Sequence, residues 1–229
     1  MLKPEVLLVF LLTFSLCVAQ ERVETISESF TKVKVSSGII ATIHVNADVN
    51  KVVVEGFDKD EVNIRFRRDE LRVSLPLNSL FSNSDTKVDI YVKSVEVIEA
   101  TSSAELVVEG LIAQSEIAFK VVEMASIDAK INVEKLQLHL LTGGVIRLQG
   151  KATEQNIVIK TGAEYLGEKL KTKTTHVEIS YKGIAEVYAS DYCVASVTAG
   201  GEVSVFGNPA RLDETTKLGG LIKKVIVNK

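Results

Sequence analysis

Paired carboxylates are the first feature of this sequence that could do chemistry. Glu164 and Glu202 occupy the same position in two copies of a repeated pattern described below. Glycoside hydrolysis needs two carboxylates, separated in an inverting enzyme by about 6.5–9.5 Å. Two copies of a stacked strand place these glutamates roughly 10 Å apart, and the third acid of that column, Glu105, lies three copies away from Glu164. We therefore interpret them as a solvated face and predict no catalytic residue. A polysaccharide-active β-helix enzyme, a lyase or hydrolase, is the alternative.

Metal and cofactor chemistry find no support in the residue spacing. The three histidines, His44, His139 and His176, lie on separate alternating segments and form no pair with ligand spacing. Asp89 and Asp128 stand alone in the sequence. No glycine-rich phosphate loop or dinucleotide fingerprint is present. The sequence predicts neither a metal site nor a cofactor.

Arginines and tyrosines are the remaining candidates for ligand binding. The segment RFRRDELR (Arg65–Arg72) fits a charged edge that resists pairing with another sheet, or a patch that binds acidic glycans. Tyr188 follows a residue of a core column, so its ring is expected to face outward and could stack on a sugar. The predicted ligand-binding residues are Tyr188, Arg65, Arg67 and Arg68.

Composition and the N-terminus point to an exported protein. The 229-residue chain has a net charge of −3, no tryptophan and no basic stripe, which argues against nucleic acid as a partner. Residues 1–19 are expected to be a cleaved signal peptide, because the apolar run Val6–Val18 is short for a membrane span and precedes Ala19. No later run is long enough to cross a membrane. Cys193 is then the one remaining cysteine, expected to be small and buried.

Alternating apolar and polar residues predict an all-β protein. Segments such as KLQLHL, NIVIK and HVEIS alternate in this way, whereas helical periodicity is nearly absent. Short runs rich in β-branched residues suit a half-buried, pleated surface.

A repeat of about 19 residues predicts how these strands are arranged. Small residues open each unit, and the units follow one another at 18–22 residues, anchored on Ser103, Ala125, Gly143, Gly162, Lys182 and Gly200. Lys182 is the one large anchor, and the small residue of its unit is the neighbouring Gly183. Three positions after the anchors, the mostly apolar column reads Leu106, Asp128, Ile146, Tyr165, Ala185 and Val203. Units of this length with short strands and tight bends are typical of a parallel β-helix, or β-solenoid. An antiparallel sandwich is the alternative.

The repeat also divides the mature chain. Residues 100–229 are expected to form regular coils, and residues 20–99 to form irregular coils or a cap over one end. Pro76–Asp85 reads as a loop between the two sections. We expect one continuous domain over residues 28–229.

Several motifs resemble a known family. They are FTKVKVSSGI (Phe30–Ile39), the openings TGG, TGA and AGG at Thr142, Thr161 and Ala199, and VFGNPA and GGLIKK near the end. Their order and spacing are similar to the head GIN domain of putative autotransporter adhesins of Bacteroidetes. The resemblance implies a right-handed parallel β-helix and attachment to a surface, but no catalytic or binding residue to carry over.

Together these observations predict an exported, non-catalytic, adhesin-like module of the cell envelope. It would present one flank of its coil stack to a polysaccharide or to an envelope or surface protein. The expected location is the periplasm, the outer-membrane surface or the exterior of the cell. The sequence leaves open whether the chain forms a homo-oligomer.

Overall fold

The computed structural model describes residues 21–76 and 86–226, and this part of the chain folds into β-strands joined by turns. The predicted signal peptide, and all but Pro76 of the predicted loop Pro76–Asp85, lie outside the described residues. Within the two described ranges, no helix has the length and hydrophobicity needed to span a membrane.

The strands are numbered β1–β18 in chain order. They are Arg22–Thr25, Lys32–Val35, Ile40–Val45, Lys51–Glu55, Asn63–Arg67, Glu70–Ser74, Lys87–Val92, Val97–Ala100, Glu105–Val121, Ser126–Leu141, Val145–Lys160, Glu164–Leu166, Leu170–Ile179, Ile184–Tyr188, Tyr192–Val197, Glu202–Phe206, Arg211–Thr216 and Leu221–Lys224.

From β8 onward the chain forms a parallel β-helix, as the repeat predicted. Each coil pairs in parallel with the next, and the first residues of successive coils lie opposite one another. These residues are Glu105, Ser126, Val145, Glu164, Ile184, Glu202 and Leu221, spaced 18–21 positions apart. The unit repeats because each coil must lie in register on the preceding one.

Alternate side chains fill the interior of the coils. One core column contains residues that are at most 1% exposed: Leu106, Ile127, Ile146, Tyr165, Ala185 and Val203. Burying one such aliphatic or aromatic side chain stabilises the fold by about 1.5–3 kcal/mol. One continuous core therefore holds the solenoid together, and Cys193, the cysteine within the described residues, forms no disulfide.

The predicted register of the second regular coil was wrong by one residue. Ile127, not Asp128, pairs with Leu106 and Ile146 and enters the core. The coil therefore begins at Met124 rather than at the predicted anchor, Ala125. The cause lies in the turn, where Glu123 and Met124 have φ angles of 57° and 61°. Four other coils have a glycine at the second of these positions, so a small residue was a misleading marker here; these glycines are Gly143, Gly162, Gly200 and Gly219.

The N-terminal section stacks its coils out of chain order. Strand β2 pairs in parallel with both β6 and β8, and β3 pairs in parallel with both β7 and β9. The β2–β3 coil is therefore inserted between two later coils. On the N-terminal side of this coil, three pairings are antiparallel: β5 with β6, β4 with β7, and β1 with β4. This end of the stack thus finishes in antiparallel strands.

Candidate functional site: an outer groove along the coils

A groove runs along the outside of the later coils. Its two adjoining parts have volumes of about 280 and 870 Å³, and both are lined by Gln149, Glu168 and Lys169. Gln149 lies on β11, and Glu168 and Lys169 follow β12 in the next coil. The groove therefore crosses successive coils rather than lying within one of them.

A column of outward side chains forms the floor of the smaller part. Asp128, Arg147, Leu166 and Glu186 are register partners in four consecutive coils. They face outward because the residues between them along each strand enter the core. Arg147 lies 3.5 Å from Asp128. Asp128 is therefore paired, whereas its sequence context had suggested that it was isolated. The column mixes an ion pair, an apolar residue and a carboxylate.

Glu186 is the unpaired carboxylate of this column. Within the described ranges it makes no hydrogen bond or ion pair, whereas the neighbouring Glu202 pairs with Lys223. Partial burial raises the pKa of Glu186, and the negative charges of Glu168, Glu164 and Glu202 raise it further. The charge of Lys223 opposes this shift. Glu186 is therefore a carboxylate without a protein partner, facing the groove.

Aromatic and apolar residues line the larger part. Tyr188 and Phe206 are register partners in adjacent strands, and Val225 continues the same wall. The Nζ atom of Lys171 lies 4.0 Å from the centre of the Tyr188 ring, a cation–π contact. In the next coil, a Cβ on Gly207 would come within 2.7 Å of the Tyr188 ring. The ring is thus held between two coils, and its exposed edge faces the groove with Phe206.

A buried polar network fixes the backbone beneath this wall. The Tyr188 carbonyl accepts hydrogen bonds from Thr175 at 2.7 Å, from the Gln155 amide at 3.2 Å, and from Thr172. The Tyr165 hydroxyl donates to the Gln155 Oε1 atom at 2.9 Å. Burial raises the pKa of Tyr165, so the hydroxyl stays protonated and able to donate. The network anchors the end of β14, from which Tyr188 projects.

The predicted arginine patch lies elsewhere, on the β5–β6 hairpin at the N-terminal end. Arg67 and Arg68 line a shallow pocket of about 350 Å³ together with Lys32 and Asp69, which form an ion pair at 3.0 Å. Arg65 is exposed on β5, directly opposite another arginine of the hairpin. The structure therefore does not bring these arginines together with Tyr188 in one cavity.

The predicted carboxylate pair is split by an apolar residue. Ile184 lies in register between Glu164 and Glu202, so these carboxylates are two coils apart, roughly 10 Å along the stack. This distance exceeds the separation of an inverting pair.

His44 makes contacts that the sequence did not reveal. It is bonded to Asp89 at 2.6 Å and to Glu109 at 3.2 Å, and it stacks on Tyr91. Asp89 is therefore not isolated. In the part of the chain that the structure describes, no group of three histidine, cysteine or acidic residues has the geometry of a metal site.

Phe206, Lys171 and Glu186 are the groove residues that sequence reasoning missed. Phe206 follows the core residue Val205 just as Tyr188 follows Val187. That signal could have identified it. Lys171 comes close to Tyr188 only through the stacking of two coils, and no linear motif contains that contact.

Solved structures share this fold. A putative adhesin from Bacteroides fragilis superposes with a TM-score of 0.82 at 16% identity, over 90% of this chain and 96% of its own. A protein described as a putative lipid binding protein, from Parabacteroides distasonis, gives 0.69 at 14% identity over the same shares. A putative adhesin from Parabacteroides merdae gives 0.64 at 17% identity, again over 90% and 96%.

Sequence comparison identifies the family. No curated protein matches the chain. A family model described as "putative auto-transporter adhesin, head GIN domain" matches residues 29–209, which include strands β2–β16. The chain therefore belongs to the head GIN domain family of putative auto-transporter adhesins.

Proposed function

We propose that this protein is an exported, non-catalytic adhesin-like module of the cell envelope that holds a glycan chain in the outer groove. The observation that carries the proposal is the groove itself, in which Tyr188 and Phe206 stand beside polar and charged side chains. Aromatic rings pack against the apolar faces of sugars, while amides and charges bind hydroxyl groups. Membership of an adhesin family supports the same role.

The repeat spacing favours a polymer over a small molecule. The outward column from Asp128 to Lys223 passes through six strands, so its length is about 24 Å. A rigid ladder with one side chain at each step presents similar contacts at regular intervals. An extended chain can use several of these contacts at once, whereas a single sugar reaches one or two.

The packed interior argues against a lipid inside the coils. The core column residues Ile127, Ile146 and Tyr165 are fully buried and fill the space between the sheets. The groove is open and has a mixed lining, which suits a hydroxylated chain better than an acyl tail. The lipid-binding description of the Parabacteroides distasonis neighbour concerns that protein. Vesicle binding is therefore a useful counter-test for this chain.

The proposal is tested by retention on immobilised polysaccharides. The protein from Gln20 onward is passed over a panel of envelope, host and plant glycans, and retention is compared for Phe206→Ala and Tyr188→Ala. Loss of an aromatic contact at the centre of a site costs more than about 1.4 kcal/mol, so we expect at least about a tenfold loss of affinity. Tyr181→Ala is the matched control, because Tyr181 is exposed outside the groove.

Three outcomes would contradict the proposal. Equal losses for Tyr181→Ala and Phe206→Ala would show that the groove is not the binding site. Retention on lipid vesicles but on no glycan would favour a membrane ligand. Binding to envelope proteins alone would favour a protein partner.

A second candidate is a polysaccharide-active enzyme. The observation that favours it is the unpaired carboxylate of Glu186, which lines the groove. A carboxyl group with a raised pKa beside other carboxylates is a common arrangement for a general acid. The same glycan panel tests it if new chain ends are counted after incubation. New ends that disappear in Glu186→Gln would replace the adhesin-like role with catalysis. Binding without new ends is the result that we expect.

A further inference from the structure

The charges in the groove indicate which glycans it accepts. Resting on the proposed function, we infer that the larger part of the groove selects acidic glycans, with a sugar carboxylate or sulfate bound at Lys171 and Lys169 beside Tyr188 and Phe206. The inference concerns the same groove and names the class of its ligand.

Lys171 is the cation best placed for this role. It is exposed and lines the groove, and its ammonium group lies over the Tyr188 ring. Among the residues that the structure describes, no carboxylate forms an ion pair with it. A cation–π contact leaves the outer hydrogens of an ammonium group free, because the ring occupies one side of it. The ammonium group can therefore donate to an anion in the groove while the ring fixes its position.

Lys169 adds a second positive charge on the same side. Its Nζ atom lies 4.0 Å from the Glu168 carboxylate, at the outer limit of an ion pair, and both side chains are partly exposed. An exposed pair at this distance contributes little, so Lys169 can turn to a ligand at small cost. Gln149 and Asn208 line the same part and supply amide donors. The lining thus offers two ammonium groups and two amides against one carboxylate, Glu168, next to an aromatic wall.

The smaller part of the groove has the opposite preference, because its carboxylates outnumber its cations: Asp128, Glu168 and Glu186 against Arg147 and Lys169. Glu186 has no cationic partner within the described ranges and lies among Glu164, Glu168 and Glu202. A second anionic group would be repelled there, whereas sugar hydroxyls could donate to the carboxylate. The groove is therefore expected to take an acidic sugar at the Lys171 end and a neutral sugar at the Glu186 end.

Matched acidic and neutral polymers test the inference. Polygalacturonate is compared with its methyl ester, and dextran sulfate with dextran, which separates a carboxylate ligand from a sulfate ligand. We expect at least about tenfold tighter binding of one acidic polymer than of its neutral partner, with a preference that weakens as salt is added. Lys171→Gln should abolish most of the preference, and Lys171→Arg should keep it.

Two further variants locate the effect. Lys135→Gln removes an exposed lysine from another face and should change nothing. Glu186→Gln removes the repulsion and should strengthen binding of the uniformly acidic polymers a few-fold. A preference for acids that Lys171→Gln leaves intact would overturn the assignment.

The inference and the proposed function fail in different ways. Equal binding of acidic and neutral polymers that still requires Phe206 would overturn the acidic preference and leave the glycan groove standing. No retention of any polymer would overturn the proposed function and the inference with it.

Discussion

Gly150 has the least room for a Cβ atom among the glycines in the described residues. Its φ angle is +117°, and a Cβ would lie 2.0 Å from the carbonyl oxygen of Ile131. That oxygen belongs to the paired backbone of β10, which cannot move without breaking the ladder. Only glycine fits, because any side chain would strain the local backbone and force two coils apart.

Replacing Gly150 with alanine should therefore destabilise the fold by about 2–5 kcal/mol, as backbone strain and overpacking add. The measurement is the urea midpoint at an unchanged m-value. Gly162→Ala is the matched control, because Gly162 also has a positive φ, +70°, but the nearest atom is 3.9 Å from its Cβ position. The control should lose only about 1 kcal/mol. Similar losses in both variants would contradict the steric argument.

Cys193 should be chemically silent in the folded protein. The residue is fully buried, as its sequence context predicted. Burial, with a contribution from the charge of Glu214, raises the pKa of its thiol to about 12. Because the thiolate is the reactive species, iodoacetamide at neutral pH should label the protein only after unfolding in urea. Equal labelling rates with and without urea would contradict this.

Single residues also show how far the sequence could predict the site. The outward direction of Tyr188 followed from alternation along one strand. The contact with Lys171 and the network around Gln155 did not follow, because they join residues of different coils. Glutamine is usually a surface residue, so the sequence alone does not show that Gln155 is buried among hydrogen-bond partners.

A charged ladder joins three strands near the N-terminal section. Lys34, Glu99 and Lys120 are register partners on β2, β8 and β9. Glu99 lies 2.7 Å from Lys34 and 3.3 Å from Lys120. One carboxylate thus ties together three strands, including the coil that stacks out of chain order.

This ladder should make the stability depend on pH in the acidic range. Burial acts to raise the pKa of Glu99, but the hydrogen bond and charge of Lys34, aided by Lys120, hold it below its usual value of 4.5. The folded state therefore binds fewer protons than the unfolded state near this value. The contribution is complete above about pH 4.5 and is lost as the pH falls through the lower pKa of the folded state.

Glu99→Gln should remove this part of the pH dependence and cost about 1 kcal/mol at neutral pH. Urea unfolding between neutral and acidic pH measures both effects. Glu178→Gln is the control, because Glu178 is exposed in the same outward column and makes no ion pair within the described ranges. A stability difference between Glu99→Gln and the unmodified protein that stays constant on acidification would rule out the ladder as its cause.

Element order was the least predictable part of the fold. The repeat length reveals the shape of one coil, but stacking order depends on pairing between distant strands. His44 on β3 contacts Asp89 on β7 and Glu109 on β9. These two strands flank β3 in the sheet, although neither is next to it in chain order. The predicted register of the Met124 coil was wrong for a related reason. Glu123 and Met124 are not glycines, yet they adopt the positive-φ turn conformation that glycine usually marks.

At the scale of the whole molecule, a solenoid must protect its two ends against stacking on another copy. The N-terminal end carries antiparallel strands, and Arg65 lies directly opposite Arg72 on its outer hairpin. The last strands that the structure describes, β17 and β18, use a different device. In the last coil, Glu214 and Lys224 occupy the positions that Ala195 and Val205 hold one coil earlier, where they are buried in the core. Inward-pointing charges at an exposed edge disfavour the addition of another strand.

Replacing both charges, Glu214→Val with Lys224→Val, should therefore create an exposed apolar surface on β17 and β18 that self-associates. The apolar columns would then continue to the last strand, next to Leu218 and Leu221, which are already 83% and 49% exposed. Another copy could extend the core by pairing with β17 and β18, so sedimentation should show larger assemblies that grow with protein concentration. Thr215→Val is the control, since this residue is exposed on the outward side of the same strand and should leave the mass distribution unchanged. An unchanged distribution in the double variant would mean that something other than these two charges blocks the free edges of β17 and β18. The charged hairpin at the opposite end would then be the next element to neutralise.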